Sequence, residues 1–212
     1  MEVPAAVPPG LWCYRVDRDR SLLGGAVNDV GRVVSWLSQT LRLPDHLDLS
    51  SAPDPAAPLV LPYLSGERST GWAASARATF TGVSAATTAA MLARGAMEGV
   101  AISYARIAGQ LSNIAGPPRR VLASGRVTQD LPGLLQLLAD VLGVPVTPVI
   151  GKRTTLRGTA IMALDVLAPG LPRAEPAIGQ VVRPVAAASA YYARRALAYQ
   201  ALYDAVTAPE IG

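Results

Sequence analysis

Ala123-Ser124-Gly125 stands between a β-branched run and a helix-forming one, so its backbone amides can approach a phosphate or an adenosine closely. A strand-to-helix turn also needs glycine there with no ligand at all. The other candidates carry less chemistry. Gly151-Lys152-Arg153-Thr154-Thr155 has the lysine and threonines of a phosphate loop but not its upstream glycine spacing. Asp29, the one carboxylate in a glycine-rich stretch, suits a helix cap better than a general base. Glu67-Arg68 is expected to be an ion pair holding a loop rather than a substrate contact. His46 is the single histidine and has no cysteine near it, so it anchors neither a metal site nor a Ser-His-Asp arrangement. Tyr191, Tyr192 and Tyr199 read as helix-packing residues.

The elements that must position these residues follow from pattern. Residues 11–16 and 21–27 read as two strands joined by the polar turn Asp17-Arg18-Asp19-Arg20, a hairpin. Asn28-Asp29 then caps a helix carrying Val33, Val34, Trp36, Leu37 and Leu41. Residues 44–58, with four prolines, form a surface loop, and 59–64 run into an irregular loop through 65–72. A third strand is expected at 77–83, then a long helix over 86–113 with Leu92, Ala96, Val100, Tyr104, Ile107 and Leu111 on one face. Gly116-Pro117-Pro118 stops it, and 120–124 is a short buried strand. Thr128 or Asp130 caps the next helix, with Pro132 in its first turn and a leucine stripe ending at Gly143. An edge-type strand at 144–149 precedes a helix from Thr154 or Thr155 that carries Leu156, Ala160, Ile161, Leu164 and Leu167. A last strand near 180–185 and a helix over 189–206 complete an α/β order, with three antiparallel strands first and βα crossovers after.

Composition narrows the class. Half of the residues are hydrophobic and 16% charged, which excludes a disordered chain. Cys13 is the one cysteine, so no internal disulfide framework exists and a reducing cytoplasm is expected. No run approaches the roughly 18–20 apolar residues of a membrane helix, and no signal peptide is visible, so no membrane association is expected. The net charge is +4, but 18 of the 19 basic residues are arginine and they are scattered in ones and twos. No basic stripe with interleaved aromatics exists, so no nucleic-acid partner is expected. The first strand lacks the clustered carboxylates of a two-metal nuclease.

Several segments together resemble the C-terminal half of FGGY-type carbohydrate kinases, in the gluconokinase and xylulokinase branch. They include Leu22-Leu23-Gly24-Gly25-Ala26, Gly31, Trp36-Leu37, Leu64-Ser65-Gly66-Glu67-Arg68-Ser69 and Ala78-Thr79-Phe80-Thr81-Gly82-Val83. Met97-Glu98-Gly99-Val100-Ala101, Ala123-Ser124-Gly125, residues 138–146 and Leu156-Arg157-Gly158-Thr159-Ala160 continue the match in order. The resemblance implies a ribonuclease H-like, actin-like ATPase domain: a mixed five-stranded sheet with flanking helices over 11–208, after a loose lead-in at 1–10. It implies ATP with Mg2+ as cofactor and a sugar or sugar acid as substrate. The family's aspartate base and first phosphate loop belong to the sequence that precedes this half, so the catalytic set here is empty. The expected partner is an N-terminal kinase half, or a second copy. By matching position, Gln129 lies near the adenine, Gly31 and Ser35 near the ribose or α-phosphate, and Gly125 and Arg126 at the phosphate turn. Family members usually carry two glycines at that turn, and here Ser124-Gly125-Arg126 keeps one. The alternative expectation is a non-catalytic remnant that binds nucleotide or a partner.

Overall fold

The computed structural model describes residues 6–44, 47–131, 133–151 and 153–208. Trp12–Arg15 (β1) and Ser21–Gly24 (β2) form the expected antiparallel hairpin, with Trp12 opposite Gly24 and Arg15 opposite Ser21. The Asp17 carboxylate closes its turn by accepting the backbone N–H groups of Asp19 and Arg20. The lead-in is less loose than expected. Gln110 Nε2 donates to the Pro9 carbonyl, and the Ser69 hydroxyl donates to that of Gly10.

Val30–Thr40 (α1) buries Val33 and Leu37 at the predicted spacing. Asp29 does not cap it. Its backbone is left-handed at φ 65°, and its buried carboxylate accepts the Ser65 N–H at 2.7 Å and the Ser65 hydroxyl at 2.6 Å. Arg32 pairs with the other carboxylate oxygen at 2.9 Å. A long-range tie to the 65–72 loop has replaced the local cap.

The run after the proline loop begins with a strand the sequence reading missed. Leu59–Leu61 (β3) pairs antiparallel with Thr79–Thr81 (β4), Val60 opposite Phe80. Its residues do not alternate in polarity because the strand is covered by Ala89–Ala115 (α2). Thr88 caps α2 by accepting the Met91 N–H at 3.2 Å, and Gly116 ends it at φ 75°. Gly95 and Gly99 sit where the helix meets β3. A Cβ on either would lie 2.2 Å from a backbone oxygen, that of Pro58 or of Val60.

Val121–Ala123 (β5) runs parallel to Val146–Pro148 (β6). β5 is not the buried strand expected, since Leu122 is 41% exposed. The next helix is split: Arg126–Asp130 (α3) and Leu134–Leu142 (α4) are separated at Gly133, whose φ of 80° neither Thr128 nor Asp130 as a cap accounts for. Pro132 lies outside the described residues. Thr154–Leu167 (α5) follows β6, and its predicted apolar face is not buried: Leu156 and Leu167 are 59% and 81% exposed. In place of a strand at 180–185 there are two isolated bridges, Val182 to Val146 and Ile178 to Val149. Ala186–Thr207 (α6) closes the chain. The expected five-stranded sheet therefore appears, among the described residues, as three two-stranded ladders.

Two apolar cores hold these pieces. The larger joins Val33 and Leu37 of α1, Val60, Met97 of α2, Leu134, Leu137 and Leu138 of α4, and Tyr192 of α6. The smaller gathers Leu61, Tyr63, Ile102, Tyr199 and Tyr203. Within it, the Tyr199 hydroxyl sits 2.9 Å from that of Tyr63 and 2.8 Å from that of Ser103. Burial pushes the Tyr63, Tyr192 and Tyr199 phenols up from their ordinary value of 10.0. In the unfolded chain those phenols ionise near pH 10 and in the fold they do not. Their contribution to stability is therefore complete below about pH 10 and lost as pH rises beyond it. Absorbance at 295 nm in an alkaline titration is expected to report these three phenolates together with loss of the helical circular dichroism, not before it.

Candidate functional site

The turn after β5 opens on a cavity of about 1020 Å³. Its floor is the C-terminal half of α2, with Tyr104, Ile107 and Leu111; Leu23 of the hairpin lies on one wall and β5 on the other. Tyr104, expected on one face of the helix with Ile107 and Leu111, is 39% exposed and lines this space. At one end Val30, just inside α1, meets the 123–128 turn. Gly125 stands there at φ 121°, with nothing within 4 Å of where a side chain would begin. Bare backbone of this kind lets a ligand come closer than any side chain would allow.

The five residues expected to surround a nucleotide fall on two abutting elements. Gly31 and Ser35 are on α1; Gly125 precedes α3, which holds Arg126 and Gln129. A Cβ on Gly31 would be 3.8 Å from Val127 Cγ2, so the two helix starts touch. Gly125 and Arg126 line the cavity; Gly31, Ser35 and Gln129 do not. The Ser35 hydroxyl donates to the Gly31 carbonyl at 3.1 Å, and Gln129 Nε2 to that of Gly151 at 3.4 Å. Arg126 donates to Asp130 at 3.0 Å while its side chain stays 92% exposed. An exposed pair of that kind contributes little, so the guanidinium is free to turn toward an anion.

The carboxylates nearby do not form a magnesium cage. Asp29 is engaged by Ser65 and Arg32, and Asp130 by Arg126. Among the described residues no group of three metal-ligating side chains converges. Magnesium keeps several waters and is held by one or two carboxylates together with substrate phosphates, and of the described carboxylates near the turn that of Asp29 is occupied by Ser65 and Arg32.

Glu67 does hold a loop, but not through Arg68. Its buried carboxylate accepts the N–H groups of Gly71 and Ala73 and the hydroxyl of Tyr203, and it pairs with Arg106 at 3.8 Å. Arg68 instead lies over the Trp72 ring, 5.4 Å from its centroid. Tyr192 and Tyr199 pack in the cores as expected, with Tyr191 edge-on to Tyr192 at 5.2 Å. His46 and Lys152 lie outside the described residues.

One cluster escaped the sequence reading. Glu98 on α2 is 1% exposed and has Arg94 at 3.0 Å and Arg195 of α6 at 2.8 Å, with the Tyr192 hydroxyl donating to it at 3.0 Å. Burial pushes the Glu98 carboxyl up, against the pull of Arg195 and Arg94. The arginines also reach the proline loop: Arg94 donates to Ser51, and Arg195 to the carbonyls of Ala57 and Pro58. The signal that could have found it is an Arg-Glu pair at i,i+4 inside an otherwise small and apolar helix.

The profile of the C-terminal domain of the FGGY family of carbohydrate kinases matches residues 6–165. A glycerol kinase of Delftia acidovorans is 34% identical over 152 residues, 66% of this chain and 30% of that protein. Among solved structures, a gluconate kinase from Lactobacillus acidophilus superposes with a TM-score of 0.82 at 27% identity, covering 97% of this chain and 44% of that one. A ligand-bound xylulose kinase from the same organism gives 0.81 at 26% identity, covering 96% and 44%. The chain thus spans under half the length of each of these three proteins.

Proposed function

Since the chain belongs to the FGGY family of carbohydrate kinases, through the C-terminal domain of that family, we propose that it is the nucleotide-side domain of an ATP-dependent sugar or sugar-acid kinase of the gluconate kinase kind. Residues 11–208 act as one domain in this reading. The observation that carries it is the bare Gly125 turn at the mouth of an apolar cavity, with the start of α1 against it. The apolar lining suits a purine, the Gly125 backbone suits close approach by a phosphate, and Arg126 supplies a movable positive charge. ATP would bring the phosphoryl group itself. Phosphoryl transfer depends on positioning and charge neutralisation from both sides of a cleft. Among the described residues no carboxylate is free beside the turn to take a proton from a sugar hydroxyl, so the reaction needs a second domain.

Calorimetry with ADP and with ATP is expected to show binding by the chain alone. Gly125→Val, which strains a backbone at φ 121° and fills the approach, should weaken it on the order of tenfold. A coupled assay with gluconate, xylulose or glycerol should show no turnover. Turnover by the chain alone would overturn the half-site reading; absence of nucleotide binding would overturn the nucleotide-side assignment. The exposed apolar face of α5 favours a second reading, a partner-binding domain without catalysis. Nucleotide binding that Gly125→Val leaves unchanged would favour it.

A further inference from the structure

α1 begins without the support a helix start usually has. No side chain caps it, and the Val33 N–H donates to the carbonyl of Asp29, a residue held left-handed at φ 65°. Among the described residues no hydrogen bond or ion pair joins α1 to α3, and Gly31 meets Val127 by contact alone. The start of α1 is held from its other side, by the 65–69 loop. The Ala26 N–H donates to the Ser69 hydroxyl at 2.8 Å, and the Ser69 N–H to the Ala26 carbonyl at 3.0 Å. Asn28 Nδ2 donates to the Gly66 carbonyl at 3.3 Å, and the Asp29 carboxylate takes both donors of Ser65. The loop is itself fixed, since the Glu67 carboxylate accepts the N–H groups of Gly71 and Ala73. Of these ties the one from Asp29 is nearest to α1. It adjoins Val30, which lines the cavity together with Gly125. The Asp29 side chain is 2% exposed, so water does not compete for its bonds.

We propose that Asp29 is a positioning residue: through Ser65 it fixes the start of α1 against α3, and so holds the wall that a nucleotide meets at the Gly125 turn. The inference rests on the nucleotide-side reading above and adds what keeps that site formed before a ligand arrives. The sign of the charge argues for position rather than contact. A carboxylate beside a phosphate turn repels a nucleotide, so Asp29 opposes binding by its charge. Its oxygens are also spent elsewhere, one on the two Ser65 donors and the other on Arg32 at 2.9 Å. A non-glycine residue at φ 65° carries backbone strain, and those bonds are what hold it there. Released from Ser65, the start of α1 would move off Val127 and leave the turn with one wall. Only a fraction of the molecules would then offer the site, and the apparent affinity falls by that fraction.

The test combines ADP calorimetry with amide exchange on the whole chain. Glycine adopts φ 65° freely, so Asp29→Gly removes the tie without straining the backbone. It should weaken ADP binding about fivefold and speed exchange at Val33 and Val34. Asp29→Asn keeps an acceptor oxygen and tolerates the left-handed backbone, and should bind ADP at least as tightly as the unchanged chain. Arg32→Ala removes only the exposed partner and should leave affinity unchanged. Ser65→Ala is the milder break, since the Ser65 N–H still reaches Asp29. It should weaken binding less than Asp29→Gly does, and the two changes together should cost no more than Asp29→Gly alone. Thermal unfolding shows that each variant is folded at the temperature of the titration. Electrostatics alone predicts the opposite sign, so an Asp29→Gly chain that binds ADP as tightly as the unchanged one, or tighter, sinks the positioning role. Losses that add in the double variant, or an Asp29→Asn chain as weak as Asp29→Gly, sink it too. No ADP binding by the unchanged chain overturns the nucleotide-side assignment instead. The tie itself is then decided by exchange, and unaltered rates at Val33 and Val34 in Asp29→Gly would end it.

Discussion

Glu98→Ala is expected to lower the stability of the folded chain by about 3–5 kcal/mol, the range for removing one partner of a buried ion pair. Two guanidiniums, Arg94 and Arg195, would be left facing each other out of water, and the Tyr192 hydroxyl would lose its acceptor. For a chain of this length that loss is a fall in Tm of roughly 6–20 °C. Glu98→Gln keeps the shape and removes the charge, and should give a smaller but still large fall. The discriminating measurement is the combined replacement Arg94→Met, Glu98→Leu, Arg195→Met. If the cost of Glu98→Ala comes from uncompensated charge, the triple variant recovers most of it. A triple variant as unstable as Glu98→Ala would show that the cluster matters for its ties to the proline loop instead. Urea titration read by circular dichroism suffices for all three.

Gly99→Ala carries the second large effect. The added methyl would lie 2.2 Å from the Val60 carbonyl oxygen, a backbone atom that cannot swing aside, so α2 must move off β3. Overpacking of this kind costs about 1–3 kcal/mol, and alanine's better helix propensity returns about 1 kcal/mol at most. Gly99→Val, larger and β-branched, should exceed it. Gly109→Ala is the control. It lies on the same helix with nothing within 4 Å of the new methyl, and it should be neutral or stabilising. A Gly99→Ala variant with unchanged Tm would mean that the contact between α2 and β3 yields without cost.

The order of elements was readable because hairpin, helices and glycine stops each carry a local signal. Trp12–Arg15 with Ser21–Gly24 needs only a polar turn between two β-prone runs, and Gly116 and Gly143 end helices by their own backbone freedom. What was lost depended on distant partners. β3 reads as part of a loop because burial by α2 removes its alternation. Asp29 looks like a cap because nothing local announces Ser65, thirty-six residues on, as its partner. The apolar spacing of α5 was seen, but periodicity says which face is apolar and not whether anything covers it. At the site, the Gly125 turn was legible from strand, glycine and helix in succession. The positions of Gly31, Ser35 and Gln129 came from resemblance, and these three lie behind the lining rather than on it. The cavity itself leaves no mark in the sequence, because it arises where two ladders fail to meet.

Both cores take side chains from α6: Tyr192 in the larger, Tyr199 and Tyr203 in the smaller. Their partners on α2, Met97 and Ile102, are made about 100 residues earlier in synthesis. At about 5–20 residues per second, a growing chain holds those partners uncovered for roughly 5–20 s. During that interval Glu98 has one of its two arginines, and α2 has no cover along the face that later takes α6. Folding of this domain is therefore a late event on the ribosome, gated by the emergence of residue 203, and the nascent α2 is the segment most in need of a chaperone.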